Sequence, residues 1–233
     1  MFDRDTIETA KGPLVIIPIH HATVVFEWDS KMIYCDPVGR ADRYKLLDAP
    51  NLIVLTHHHQ DHMDVETIDS LVGEDTRLVA PKICYDQLPS DIADKTQLMA
   101  NGDRFDVGGI EILATPMYNR TPERQKFHEK GVGNGYLFDF AGTRVYLASD
   151  TEPLEEMDDL APVDVAFFPM NLPYTMTPDQ VVTCIEKTRP KIVYPFHYRF
   201  PFDEIGTEPQ ALIDLMAGRD GPEIRARNWY GDV

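Results

Sequence analysis

Four of the chain's eight histidines fall between positions 57 and 62, inside the stretch Asn51 to Asp64 that reads NLIVLTHHHQDHMD. Imidazole nitrogens and carboxylate oxygens are the donors that zinc, manganese and iron accept. In extended backbone successive side chains alternate faces, so His57 and His59 point one way and His58 the other, with Asp61 and His62 on the turn beyond. A solvated histidine-rich loop is the plainer reading of such a run. The interleaved acid, and the position directly after an apolar strand, favour metal binding. Three more residues are placed to take part: Asp150 at the end of a Val-, Tyr- and Leu-rich strand, His197 at the exit of another, and His128 inside a long polar loop. Taken singly each is weak, since an aspartate there serves equally as an N-cap or turn residue and a lone histidine is more often structural.

These residues need a scaffold of strands that end together. Leu52 to Leu55 is a β-branched, apolar run without alternation, as expected of a strand buried on both faces. Thr23 to Trp28 and Met32 to Cys35 read as a hairpin about Asp29-Ser30-Lys31, ending at Asp36-Pro37. Tyr44 to Leu47 reads as a helical turn. Asp64 caps a helix to about Leu71 that Gly73 stops, Leu78 to Ala80 is the next strand, and Pro81 to Leu88 a second short helix. Ile110 to Pro116 leads to Met117-Tyr118-Asn119 and the polar loop Arg120 to Asn134. Gly135 to Phe140 and Thr143 to Ala148 form a hairpin that delivers Asp150. Val163 to Met170 is an apolar strand. Thr177-Pro178-Asp179-Gln180 then opens a helix with a cap, a proline at the first position and a glutamine three residues after the cap. Lys191 to Phe196 delivers His197, and Glu208 to Met216 is an amphipathic helix ended by Gly218. Strands alternating with helices indicate α/β layering.

With 233 residues, 43% hydrophobic and 26% charged, the chain is ordinary globular material, and we read residues 1–233 as one domain. The net charge of −17, from 39 acids against 22 bases, repels phosphate backbones and anionic lipid surfaces, so neither nucleic acid nor membrane is an expected partner. Arg120, Arg124, Lys126 and Lys130 gather around His128, where they either attract an anionic substrate group or stay solvated. Three cysteines, far apart and not in C-x-x-C spacing, point to a reducing compartment. With no long apolar run and a polar, acidic beginning, a cytoplasmic location is expected. A homo-oligomer stays open.

The six residues His57-x-His59-x-Asp61-His62 match the H-x-H-x-D-H signature of the metallo-β-lactamase-fold hydrolases, and the chain resembles that family over roughly residues 13 to 200. The resemblance implies a four-layer αββα sandwich with a one- or two-metal site at one edge. Ser149-Asp150-Thr151 resembles the family's G-D-T motif, whose aspartate bridges two metals, and His197 in Y-P-F-H-Y matches its final metal ligand. His21-Ala22 and Asp36-Pro37 also recur in the most similar members; His21 and Asp36 are expected just behind the ligands, with a core role the alternative for His21. Ser149-Asp150-Thr151-Glu152 and Tyr174-Thr175-Met176-Thr177 look most like the branch containing the ascorbate-6-phosphate lactonase-like proteins.

One position departs from the family. Where most members place a histidine after the strand ending near Met117, this chain has Asn119, a poorer ligand for a borderline metal. His128, nine residues on, is the expected replacement if its loop folds back, with Asn119 or solvent as alternatives. The resemblance then implies His57, His59 and His128 around one metal, Asp61, His62 and His197 around a second, and Asp150 across both, zinc foremost and manganese or iron the others. Such a site activates water for hydrolysis, Asp61 steering the water or passing a proton. Tyr174, Tyr198, Arg199 and Asn119 are candidate substrate contacts from adjacency alone. A lactone or other ester with an anionic group is the expected small-molecule substrate. A phosphodiester is the runner-up, and a metal-binding protein without turnover is the alternative that Asn119 keeps open.

Overall fold

The computed structural model describes residues 2–199 and 207–231. Strands β1 (Asp5–Thr9), β2 (Gly12–His20), β3 (Thr23–Trp28) and β4 (Lys31–Cys35) pair antiparallel in chain order. Strands β5 (Leu52–Val54), β6 (Arg77–Ala80) and β7 (Thr96–Leu98) then extend the same seven-stranded sheet in parallel. The second half repeats the plan. Antiparallel β8 (Arg104–Val107), β9 (Ile110–Met117), β10 (Gly133–Phe140) and β11 (Thr143–Leu147) are followed by parallel β12 (Val165–Pro169), β13 (Ile192–Phe196) and β14 (Glu223–Ile224).

Alternation along the strands sends apolar side chains to two places at once. On β3, Val24 and Phe26 join the core between the sheets, while Val25 faces outward under a helical layer. Leu52 and Val54 turn inward and Ile53 outward, which is why this strand shows no polar position. The outer layer on the first sheet consists of α1 (Val65–Leu71), α2 (Lys82–Tyr85) and α3 (Ser90–Ala93), which bury Ile68, Cys84 and Ile92. On the second sheet it is α4 (Pro178–Thr188) and α5 (Pro209–Met216), which bury Val181, Cys184, Ile185 and Leu212 in the main core. The expected helix–sheet–sheet–helix sandwich is what the chain forms. Among the described residues no helix is long and apolar enough to cross a membrane.

The differences from the sequence reading lie at the margins. The helix expected over Pro81 to Leu88 is shorter, Lys82–Tyr85, and a separate turn, Ser90–Ala93, follows Pro89. The helical turn expected at Tyr44 to Leu47 sits earlier, as a 3-10 turn over Ala41–Tyr44. The edge strands β1, β7 and β14 were not expected: they are short and mostly polar, as suits strands paired on one side only. The two capped helices begin where the sequence places them. Asp64 accepts the backbone N–H groups of Glu66 and Thr67, and Thr177 and Gln180 form a reciprocal capping box.

Candidate metal centre

Strand exits from both sheets meet at one rim. Four residues just past their strands, His21, Asp36, Ser149 and His197, have φ between 46° and 56°. This left-handed conformation turns each chain sharply out of its sheet at some cost in strain, and it accumulates where function holds it. It also explains the family's glycine at the position of Ser149. Cross-sheet hydrogen bonds lock the rim: the His197 N–H donates to the His21 carbonyl (3.1 Å), the Asn134 N–H to Thr56 (2.9 Å), and the Tyr136 hydroxyl to Leu55 (2.9 Å).

Buried Asp36 orders the first half of the site. Its Oδ2 accepts the Thr56 hydroxyl at 2.6 Å and His62 Nδ1 at 2.7 Å, while Oδ1 takes the Thr56 N–H. With its one proton committed to Asp36, the Thr56 hydroxyl can only accept from His57 Nδ1, 3.0 Å away. Both rings are thereby fixed with Nε2 facing the rim. His57 Nε2 lies 3.1 Å from His59 Nδ1. His21 is placed in the same way: its Nε2 faces Asp61 Oδ2 at 3.1 Å, so it carries the proton, and the Tyr230 hydroxyl donates to its Nδ1 at 2.8 Å.

The second half supplies the rest. Asp150 Oδ2 lies 3.2 Å from both His128 Nε2 and His197 Nε2, and its Oδ1 lies 3.4 Å from His62 Nε2. His197 Nε2 is also 3.3 Å from Asp61. Among the described residues, His62 Nε2, His128 Nε2 and Asp150 Oδ1 are buried without a hydrogen-bond partner. Burying such atoms unpaired costs free energy, and here they converge. Three overlapping groups, His57/His59/His128, His57/His62/Asp150 and His21/Asp61/His62/His197, each bring their donor atoms within 4.8 Å of one another. A nitrogen-rich set with carboxylates between fits a divalent transition metal.

Burial, reinforced by neighbouring imidazoles, pushes His57 well below the ordinary imidazole value and brings His59 down to about 4, so both offer lone pairs at neutral pH. Burial also brings His21 to about 3. For His197, up at about 9, and for His62, well above its ordinary value, burial is outweighed by the adjacent Asp150 charge. Burial likewise fails to keep two carboxylates up. The charges of His197 and His62 hold Asp150 well below the usual range, and hydrogen bonds from His197 and His21 do the same for Asp61.

Asn119 is tied into the loop and is not among the residues that line the rim cavity. Its side-chain amide donates to the carbonyls of Arg124 and Tyr174, and its backbone N–H donates to the His128 carbonyl at 2.9 Å. The residue that departs from the family pattern thus folds the loop back and presents His128. Two adjacency guesses find other partners: the Tyr198 hydroxyl donates to the Arg227 carbonyl, Arg199 lies over the Tyr230 ring at 5.0 Å, and neither residue is among those lining the rim cavity. Tyr174 does line the rim cavity, of about 540 Å³, with Asp61, His128, Asp150 and His197. His21 is more intimate with the site than expected, its ring 4.0 Å from that of His197. The sequence reading missed Phe127, which lines the cavity, and Tyr230, whose only signal was an aromatic pair, Trp229-Tyr230, in a polar tail.

A two-sheet sandwich with imidazoles and carboxylates on one rim defines the metallo-β-lactamase class of fold. Residues 16–197 match the Beta-lactamase superfamily domain, and the chain belongs to that family. A UPF0173 metal-dependent hydrolase from Pyrococcus furiosus is 30% identical, over 84% of this chain and 89% of its own. A metal-dependent hydrolase from Parabacteroides distasonis has a crystal structure that superposes with a TM-score of 0.87 at 34% identity, over 97% of this chain and 99% of that one. The fold is shared more distantly by CmlA, a diiron beta-hydroxylase from Streptomyces venezuelae, with a TM-score of 0.71 at 17% identity over 95% of this chain and 53% of that one.

Proposed function

We propose that this metal-dependent hydrolase of the β-lactamase superfamily opens a lactone or cleaves another small ester carrying an anionic group, the chemistry of the lactonase-like branch. The observation that carries the reading is Asp150, a buried carboxylate between His62, His128 and His197 at the floor of the 540 Å³ cavity. His57, His59 and His128 would hold one divalent ion, and Asp61, His62 and His197 a second, with Asp150 between; zinc is the first choice for so nitrogen-rich a set and iron or manganese the others. A metal held there would lower the pKa of a bound water to about 7 and polarise the ester carbonyl.

The protein's own groups do the rest. Asp61 lines the cavity as a firmly ionised acceptor and orients the attacking water through one of its protons. His21 and Tyr230 keep that carboxylate in place. Tyr174 stands on the cavity wall, where its hydroxyl can donate to the oxygen that gains charge in the transition state.

The test pairs elemental analysis of metal per chain with a panel of lactones, esters, thioesters and phosphodiesters. One or two divalent ions per chain are expected, with ester or lactone turnover that a chelator removes and the ion restores. His59→Ala should lower kcat/KM by more than about a hundredfold, the upper end of what losing a mere supporting residue costs. Full metal loading with turnover of phosphodiesters alone, or of nothing, would overturn the reading.

A further inference from the structure

The loop between β9 and β10 carries four cations, and three are committed to carboxylates. Arg120 meets Glu155 at 3.4 Å, Arg124 meets Glu152 at 3.0 Å, and Lys130 meets Glu156 at 3.0 Å. Lys126 has no ion pair among the described residues. Its Nζ stands 5.0 Å from the Phe127 ring centroid, and it borders a second cavity of about 320 Å³.

That cavity shares His59, Phe127 and His128 with the larger one, so the two are lobes on either side of the same imidazoles. Ile83, Met117 and Val132 give the smaller lobe apolar walls. His58, past the end of β5 and with its ring 4.9 Å from that of His59, lines it too, and its buried Nδ1 has no hydrogen-bond partner among the described residues. The lobe therefore combines an aliphatic lining with an unpaired cation and an unused imidazole nitrogen.

We infer that the smaller lobe receives the acyl arm of the substrate, a short aliphatic chain ending in a carboxylate that pairs with Lys126. The inference rests on the proposed ester hydrolysis and narrows its substrate class. At about 30 Å³ per water-sized volume, the lobe holds roughly ten non-hydrogen atoms, enough for a five-carbon dicarboxylate arm. Glu129 also borders the lobe, which favours a singly charged carboxylate over a doubly charged phosphate. Hydrolysis of such an ester adds one water, releasing the alcohol and a dicarboxylate.

The experiment compares p-nitrophenyl acetate, p-nitrophenyl butyrate and mono-p-nitrophenyl glutarate on the metal-loaded enzyme, and titrates glutarate and butyrate into it by calorimetry. The glutarate ester should exceed the butyrate ester in kcat/KM by about tenfold, and Lys126→Glu should reverse that preference. Val132→Phe, which fills the lobe, should lower both relative to the acetate ester by about tenfold or more. A glutarate-to-butyrate ratio unmoved by Lys126→Glu would overturn the inference. If none of these esters is turned over, the titration decides the lobe alone. A glutarate Kd raised about tenfold by Lys126→Glu upholds it, and an unchanged Kd sinks it.

Discussion

Replacing Glu152 by alanine should unfasten the loop that presents His128. The Glu152 side chain is 2% exposed, accepts the backbone N–H groups of Arg120 and Thr121 at 2.6 Å each and the Thr121 hydroxyl at 2.7 Å, and faces Arg124 at 3.0 Å. Truncating one partner of a buried ion pair costs about 3–5 kcal/mol, because the other charge is left buried and unmatched. Arg124 keeps the Thr175 carbonyl at 2.8 Å and the Thr121 hydroxyl at 3.1 Å and is 18% exposed, which places the expected loss near the lower end, about 3 kcal/mol. In a chain of this size that is a fall in Tm of about 6–12 °C. Because the loop carries His128, metal affinity should fall with it, by about 10- to 100-fold. Urea denaturation and a metal-chelator competition measure the two effects. A stability loss under about 1 kcal/mol, or an unchanged metal affinity, would refute the role given to this carboxylate.

Three other perturbations follow from the same geometry. A Cβ at Gly133 would collide with Met117 Sδ and sit 3.0 Å from both His57 Cβ and the Thr56 carbonyl, so Gly133→Ala should cost about 1–3 kcal/mol in a melt and weaken metal binding through His57. Tyr198→Phe should lose about 1 kcal/mol and leave kcat/KM within about twofold; a larger fall in turnover would restore Tyr198 to the site. Asp5 accepts from Arg227 at 2.8 and 2.9 Å and from the Tyr194 hydroxyl at 2.8 Å. Burial opposes ionisation there, but these bonds hold its pKa below the unfolded value of 3.8. Its contribution is therefore present above pH 3.8 and fades as the pH falls through the lower folded value, so Asp5→Asn should be about 1 kcal/mol less stable than the parent at pH 7 and converge with it in acid. A constant difference across that range would disprove the linkage.

What could be read from the sequence was whatever leaves a local signature. The unbroken apolar run at Leu52 to Leu55, the capping residues Asp64 and Thr177, and the histidines and aspartate at strand exits all announce themselves in a few neighbouring residues. What escaped depends on partners far along the chain. His128 was preferred to Asn119 only on ligand chemistry, because how the loop folds rests on contacts to the carbonyls of Arg124 and Tyr174. Tyr198 and Arg199 were placed by adjacency, but their partners, the Arg227 carbonyl and the Tyr230 ring, come from the far end of the chain. Nothing near His21 signals that Tyr230 closes behind it, more than two hundred residues later. The basic cluster around His128 looked like one feature, and only the positions of Glu152, Glu155 and Glu156 separate Lys126 from the other three.

The repeated pairing order of the two sheets has a consequence for when the protein becomes competent. The first sheet delivers His21, His57, His59, Asp61 and His62, whereas His128, Asp150 and His197 belong to the second, and the locking bonds join Thr56 to Asn134 and His21 to His197. A half-made or half-melted chain holds a fragment of the donor cluster and no walled chamber. Competence therefore arrives as a coincidence of two folding events, and a tightly held cation would act as the rivet that keeps the halves from parting.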